Sequence, residues 1–420
     1  MNMLEQWLSK SLNRLNLVDS MEQLNGFTRL SYSEEEWKAM DAFTEIAHEI
    51  GLEVRMDEAG NRIARWNPTP ESESLPAIAI GSHLDTVVNG GGYDGVAGVL
   101  CGLGAIKLVK ETKKRLIYPI EVICFASEES ARFGISTIGS KAMTGFLDVE
   151  GVADIKDATG ITVKEAIESK GLILEQIVNA KRNDSEIKSF IELHIEQGEL
   201  LQDANCDIGY VRGIACPTRL TITIKGRAGH TGTTPMGKRK DALVAIAPLI
   251  TFISQTAEEI SKTSPFPLVA TASTIQLYPN VMNVIPDVVH LGVDIRSIDD
   301  HLKSEMTQKI KEKCTLLETE FGVVAQIECL VDESSVLLHP NQLKKLQVIG
   351  EGMGLKGLEL DSGAGHDVMN MAKRWPASLL FIPSKDGISH HPEEYSSIQD
   401  LRKGTEILAK FVLQEASGRK

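Results

Sequence analysis

Six of the ten histidines stand in glycine- or acid-rich segments at or directly after apolar, strand-like runs, with carboxylates close by. The segment GSHLDTVVNGGGYDG (Gly81–Gly95) puts His83 and Asp85 straight after such a run, with Asp94 eleven residues beyond His83. Imidazole nitrogen and carboxylate oxygen are the ligands that hard and borderline divalent cations take. A carboxylate beside a ligating ring, as Asp85 is beside His83, fixes the ring's tautomer. Glycines 90–92 let the loop fold back so that Asp94 approaches His83. The competing reading is a glycine-rich turn in which Asp94 caps a helix.

SEES (Ser127–Ser130) sets Glu128 and Glu129 side by side at the end of an apolar run. Neighbouring strand side chains point to opposite faces. One glutamate can therefore bind metal while the other, through a bend, faces a reacting water; the alternative is a solvated acidic turn. ELHIEQG (Glu192–Gly198) supplies His194 within a strand and Gln197 just after it, and a satisfied core histidine is the plain alternative there. AGHTGTTP carries His230 in a loop, GAGHD carries His366, and ISHHPEE carries His390 and His391, each of which could be an ordinary loop, turn or helix-start residue. Taken one at a time these signals are weak; their joint arrangement is not. HExxH, a Walker loop, GxSxG and a Rossmann glycine motif are all missing. What remains is a carboxylate- and histidine-rich site without thiolates, suited to a pair of zinc, manganese or cobalt ions that activate water.

The elements that must position these residues alternate between strand and helix. Ala77–Ile80 reads as a strand, Gly95–Lys110 as a helix, and Tyr118–Ala126 and Phe190–His194 as strands. This alternation predicts an α/β sheet, and such sheets hold ligands at the carboxyl ends of their strands. The middle of the chain reads differently: strand Leu220–Gly226, helix Arg239–Ile260, strands Leu268–Leu277 and Val288–Ser297, helix Ser304–Phe321 and strand Val323–Val331. That β-α-β-β-α-β order is the ferredoxin-like unit. The strand–helix pattern resumes with Ser378–Pro383 and a closing helix. The expectation is one catalytic α/β domain with a central sheet and a dimetal site, residues 1–211 and 331–420. A ferredoxin-like lid or dimerisation domain, residues 212–330, is inserted into it.

A formal charge of −14 over 420 residues argues against nucleic acid or an anionic membrane as the main partner. No uninterrupted apolar run of about 18 residues predicts a membrane helix. The N-terminal MNMLEQWLSKSLNRLN is an amphipathic helical pattern and not a secretory signal. Six scattered cysteines with no CxxC pair predict buried thiols, and with them a reducing, cytoplasmic setting.

GSHLDTVVNGGGYDG, SEESARFG, ELHIEQG, RAGHTGTTPM, DIR, SGAGHD and PSKDGISHHPEE, in this order, resemble the hydantoinase/carbamoylase group of metal-dependent amidases over roughly residues 75 to 395. That group is a branch of the clan of aminoacylases and dimetal carboxypeptidases. The resemblance implies that His83, Asp94, Glu129, His194 and His390 hold two divalent ions, with Asp94 as the bridge. It implies that Glu128 is the general base and that Asp85 steadies His83. Gln197, His230, Asn283, Arg296 and His366 match substrate-holding positions, with His230 a candidate oxyanion donor and Arg296 suited to a substrate carboxylate. For Arg296 the alternative is a surface ion pair with Asp294 or Asp299. The resemblance also implies a homodimer made by the inserted domain.

The chain departs from the group's pattern at Ser130, where glycine is common, and in having two adjacent histidines near its end. Alignment from GIS selects His390 over His391. The expected activity is hydrolysis of a carbamoyl or ureido C–N bond, first of an N-carbamoyl-L-amino acid and next of allantoate. An aminoacylase or peptidase of the clan, or a silent binding protein, are the alternatives; an intact Glu128 and a complete ligand set argue against the last.

Overall fold

The computed structural model describes residues 2–417. Its strands, in chain order, are β1 (Glu53–Met56), β2 (Arg62–Trp66), β3 (Ala77–His83), β4 (Ile120–Phe125), β5 (Ile187–Ile195) and β6 (Ile208–Ile214). They continue with β7 (Pro217–Lys225), β8 (Val269–Tyr278), β9 (Val288–Arg296), β10 (Val324–Asp332), β11 (Val336–Leu337), β12 (Gly357–Ser362) and β13 (Ala377–Ile382). The chain divides into two compact units. The first comprises residues up to Arg212, Leu338–Leu360 and the chain from His366 onward; the second comprises Gly213–Leu337 and Asp361–Gly365.

The first unit is built on a sheet ordered β1-β2-β4-β3-β5-β13-β6. β3 runs parallel to β4 and β5, and β13 runs parallel to β5. β3, β4 and β13 are buried at every position. Their continuous apolar runs are what a parallel sheet covered on both faces requires. Helices Val96–Glu111 and Ile398–Ala416 contribute a large share of that cover, with Leu100, Leu103, Leu408 and Phe411 among their buried residues. Gly98 lets the first of them lie against β5, since a Cβ there would stand 2.1 Å from the Leu193 carbonyl oxygen. The amphipathic N-terminus forms helix Met3–Leu15, closed by an Asn2–Glu5 capping box and buried through Leu8, Leu12 and Leu15. Because β3, β4, β5 and β13 are mutually parallel, the motifs that follow them gather at one end of the sheet.

The second unit has a four-stranded antiparallel sheet ordered β10-β7-β9-β8, with helix Ala242–Thr263 between β7 and β8 and helix Asp300–Phe321 between β9 and β10. Alternate residues of β7 (Leu220, Ile222, Ile224) and β9 (Val289, Leu291, Val293, Ile295) pack with Ile246, Leu249 and Ile253 of one helix and Met306, Ile310 and Leu317 of the other. Ala242–Thr263 is long and apolar enough to cross a membrane by length and composition. Here Ala245, Ile246, Leu249, Ile253, Ala257 and Ile260 form part of the core of this unit.

Both helices start away from the positions expected from sequence, because aspartates cap them. Asp241 Oδ1 accepts from Leu243 N and Val244 N, and Asp299 Oδ1 accepts from His301 N. The unit boundaries also differ from 212–330. β10 runs to Asp332, and Ser335 bonds Asp300 and the Ser297 carbonyl, so residues 331–337 fall with the second unit. Among the cysteines, Cys101, Cys124, Cys216 and Cys314 are buried thiols, whereas Cys206 is half-buried and Cys329 is exposed on β10.

Candidate metal centre

His83 is the last residue of β3 and is buried. Its Nδ1 lies 3.0 Å from the Asp85 carbonyl oxygen, to which it donates, and Nε2 faces inward towards Asp94 and Glu128. His194, near the end of β5, repeats the arrangement: Nδ1 lies 2.9 Å from the Ile195 carbonyl and Nε2 lies 3.0 Å from Asp94 Oδ1. Asp94 returns over the glycine-rich loop, with Oδ1 also 3.5 Å from His83 Nε2. It does not cap the following helix: the N-cap is Gly95, without a side-chain bond. Asp94 Oδ2 faces His390 Nε2 at 3.2 Å, and the same nitrogen lies 3.3 Å from Glu129 Oε1. Two groups of donor atoms result, His83–Asp94–His194 and Asp94–Glu129–His390, each with all its atoms within 4.8 Å of one another. Asp94 belongs to both. His391, by contrast, turns its Nδ1 to the Glu393 N–H at 3.2 Å.

The Glu128–Glu129 turn is held by Asp85, which the sequence marked only for its place beside His83, and by Asn61, Glu36 and Ser31, which it did not mark. Ser127 takes a left-handed conformation, φ 55°, which makes the bend after β4. Four consecutive backbone N–H groups then meet buried acceptors. Ala126 N donates to Asn61 Oδ1 (2.9 Å) and Ser127 N to Glu36 Oε1 (2.8 Å). Glu128 N donates to Asp85 Oδ1 (3.0 Å) and Glu129 N to Asp85 Oδ2 (2.9 Å). Ser31 Oγ adds bonds to Asp85 Oδ2 and the Glu129 carbonyl. The Asp85 carboxylate thus holds the glutamate turn, and its backbone carbonyl is the nearer partner of His83. Both glutamates are buried, which excludes the solvated-turn reading.

Charge in this cluster is strongly perturbed. Burial, reinforced by Glu129, Asp367 and Asp85, pushes the Glu128 carboxyl well above its usual range. Burial also works against a charged Asp94, but His194, His390 and His83 outweigh it and hold its carboxyl well below the usual range. Hydrogen bonds to Asp94 and Glu129 raise His390 to about 10. Burial, with His194 next to it, keeps His366 neutral. Carboxylates crowded around inward-facing imidazole nitrogens are the environment a divalent cation relieves.

The remaining expected residues divide between the two units. Gln197, at φ 58° just beyond β5, donates from Nε2 to Asp94 Oδ2 at 2.7 Å. His366 sets its ring edge-on to His194 with centroids 4.5 Å apart. In the second unit, His230 and Asn283 lie on adjoining segments, joined by Thr231 N to the Asn283 carbonyl at 3.2 Å. His230 Nδ1 accepts the Gly232 N–H at 3.1 Å, which leaves Nε2–H as the ring's donor. Arg296 ends β9 with Nε 2.8 Å from Asp294 Oδ1, Nη2 3.3 Å from Asp294 Oδ2 and Nη1 2.6 Å from the Gly363 carbonyl. The ion-pair partner is therefore Asp294, and Asp299 is occupied as a helix cap.

The donor set fits two divalent ions: three imidazole nitrogens and two carboxylates, no thiolate, and a shared carboxylate between the two groups. A profile of peptidase family M20/M25/M40 matches residues 79–414. The chain is 36% identical over 393 residues to an N-carbamoyl-L-amino acid amidohydrolase of Geobacillus stearothermophilus, covering 94% of each chain. It is 35% identical over 391 residues to an allantoate amidohydrolase of Escherichia coli (strain K12), covering 93% of each. The crystal structure of an amidase of the hydantoinase/carbamoylase family from Burkholderia multivorans superposes with a TM-score of 0.88 at 27% identity, over 99% of this chain and 98% of that one.

Proposed function

The chain belongs to peptidase family M20/M25/M40 and is a hydrolase of amide C–N bonds; from that premise we propose that it cleaves the carbamoyl group from an N-carbamoyl-L-amino acid, using two divalent ions. The observation that carries the reading is the pair of ligand groups joined through Asp94, with Glu128 buried beside them and its Oε2 3.8 Å from His83 Nε2.

His83, Asp94 and His194 would hold one ion, and Asp94, Glu129 and His390 the other. Zinc, manganese or cobalt in these positions supplies a Lewis acid and lowers the pKa of water towards ~7. The chain's own residues do the rest. Glu128, buried beside both ligand groups, takes a proton from the attacking water on its carboxylate and returns it to the leaving nitrogen. Asp85 keeps that carboxylate in place through the Glu128 N–H. His230 has Nε2–H free of its Gly232 contact and suits stabilisation of the developing oxyanion. The Arg296 fork suits a substrate carboxylate, in exchange with Asp294. Gln197, Asn283 and His366 are assigned to substrate contact, Gln197 by releasing Asp94. Water adds across the ureido C–N bond, giving the amino acid, carbon dioxide and ammonia.

Allantoate is the second reading, favoured by the comparable identity to the Escherichia coli enzyme. We further assign a homodimer through the second unit, supported by its two open sheet edges, β8 and β10, and by exposed Val269, Ile275 and Tyr278 on β8. An ammonia-release screen of metal-loaded protein against N-carbamoyl amino acids, allantoate, ureidoglycolate and N-acyl amino acids tests the substrate. Turnover of N-carbamoyl-L-amino acids that vanishes in Glu128→Gln is the expected result. Exclusive turnover of N-acyl amino acids would overturn the carbamoyl assignment. A stable, fully active monomer in sedimentation would overturn the dimer.

A further inference from the structure

One buried carboxylate outside the two ligand groups stands between segments that carry ligands. Glu394 Oε1 accepts the backbone N–H groups of Tyr93 and Asp94, both at 2.9 Å. Its Oε2 accepts the Ser389 hydroxyl at 2.9 Å and the His390 N–H at 3.2 Å. Four donors thus converge on two oxygens from both sides of a gap of 300 residues in sequence. Gly91 makes room for this carboxyl, because a Cβ there would lie 2.2 Å from Glu394 Oε1.

We propose that Glu394 is a positioning residue that fixes His390 relative to Asp94 and thereby completes the second ligand group, Asp94–Glu129–His390. The inference rests on the two-metal reading above. Its effect is asymmetric. Asp94 is also held by His83, His194 and Gln197. His390 sits in left-handed backbone at φ 56° with its side chain 48% exposed, and Glu394 is what anchors its backbone N–H. Loss of Glu394 therefore falls on the ion shared by Asp94, Glu129 and His390, and spares the one between His83, Asp94 and His194.

The donor count explains why a carboxylate is needed. In glutamine one oxygen becomes an NH2 donor. With the remaining oxygen on Tyr93 and Asp94, that NH2 faces the Ser389 hydroxyl, which can turn and accept, and the His390 N–H, which cannot. Glu394→Gln thus breaks the His390 contact at nearly constant volume and leaves donor against donor.

The test is zinc binding to chelator-stripped protein, followed by calorimetric titration and by metal analysis after dialysis. The wild type is expected to take up two ions per chain. Glu394→Gln is expected to keep one at wild-type affinity and to bind the other about 10–100-fold more weakly, the range usual for residues that orient a metal ligand. In a His390→Ala background, Glu394→Gln should change metal content no further. Two ions at unchanged affinity in folded Glu394→Gln, loss of both ions, or an additional loss in the His390→Ala background would each overturn the proposal. If the glutamine variant does not fold, Glu394→Asp, one methylene shorter, withdraws the carboxylate from the same donors. It should show the same selective weakening, and unchanged binding there is equally fatal. A wild type that binds fewer than two ions would overturn the two-metal reading itself, a result distinct from all of these.

Discussion

Asp85 and Glu128 are joined by a bond that runs from backbone to side chain: the Glu128 N–H donates to Asp85 Oδ1 at 3.0 Å, while Oδ2 of the same carboxylate takes the next N–H, that of Glu129. One buried side chain thus fixes both the proposed base and a proposed ligand. In Asp85→Asn one of these acceptors becomes a donor facing an N–H. We expect kcat/KM to fall about 10–100-fold, with the loss mainly in kcat because the Glu128 carboxylate is misplaced. Steady-state kinetics on the metal-loaded variant measures this. An unchanged kcat would show that the turn keeps its shape without Asp85.

The two ligand groups predict a pattern of metal loss. Alanine at His83, His194, Glu129 or His390 should each reduce bound metal, and Asp94→Ala should reduce it most because both groups use Asp94. His391→Ala should retain metal, since that ring faces the Glu393 N–H. Metal analysis after dialysis decides. A His391→Ala variant that loses an ion while His390→Ala keeps both would reverse the assignment.

Arg296 predicts a difference between charged and neutral substrates. Lysine cannot reproduce the guanidinium fork. Arg296→Lys should therefore weaken kcat/KM for an N-carbamoyl amino acid by the equivalent of about 2–5 kcal/mol. The loss for the corresponding amide should be much smaller. Equal losses would place Arg296 in the architecture of the second unit, as the partner of Asp294 and the Gly363 carbonyl.

Asp57 predicts a pH dependence of stability away from the metal centre. It is buried in the β1–β2 connection, where it accepts from Ala59 N, Asn61 N and Asn61 Nδ2, and burial raises its pKa from 3.8 to about 6. A carboxyl raised in the folded state binds more protons there than in the unfolded chain. Its contribution is therefore full below the unfolded pKa and is lost as pH rises towards 6, by up to about 3 kcal/mol. Asp57→Asn removes this titration, so its stability relative to wild type should improve between pH 4 and pH 7. Urea unfolding at both values checks it, and a constant difference would contradict the shift.

Much of the candidate site was legible in the sequence because its proposed ligands follow apolar strands. His83, Glu129 and His194 each stand at or just after a run that is buried throughout or nearly so, and the glycines before Asp94 announced a loop that turns back. The order of strands and helices in the second unit was legible from period-2 patterning in β7 and β9. The residues that hold the site were not. Glu36 lies on helix Glu34–Glu49 among other glutamates, and nothing in EEEW marks the third as buried beneath Ser127. Asn61 and Glu394 read as ordinary turn residues. Their meaning comes from partners 65 and 300 residues away, which no local pattern encodes. Gln197 was named only because the resemblance implied substrate contact, and in the structure its amide bonds Asp94.

β13 lies between β5 and β6 in the sheet, parallel to one and antiparallel to the other. During synthesis, β5 and β6 leave the ribosome with the slot between them empty, and the whole second unit is made before the strand that fills it. Until residue 382 has emerged, the flank of β5 that carries His194 offers an unpaired edge, which is a hazard for association with other chains. His390 follows eight residues later. The last strand and the last proposed ligand therefore arrive almost together, so closing the sheet and completing the candidate site become a single late event in the life of the nascent chain.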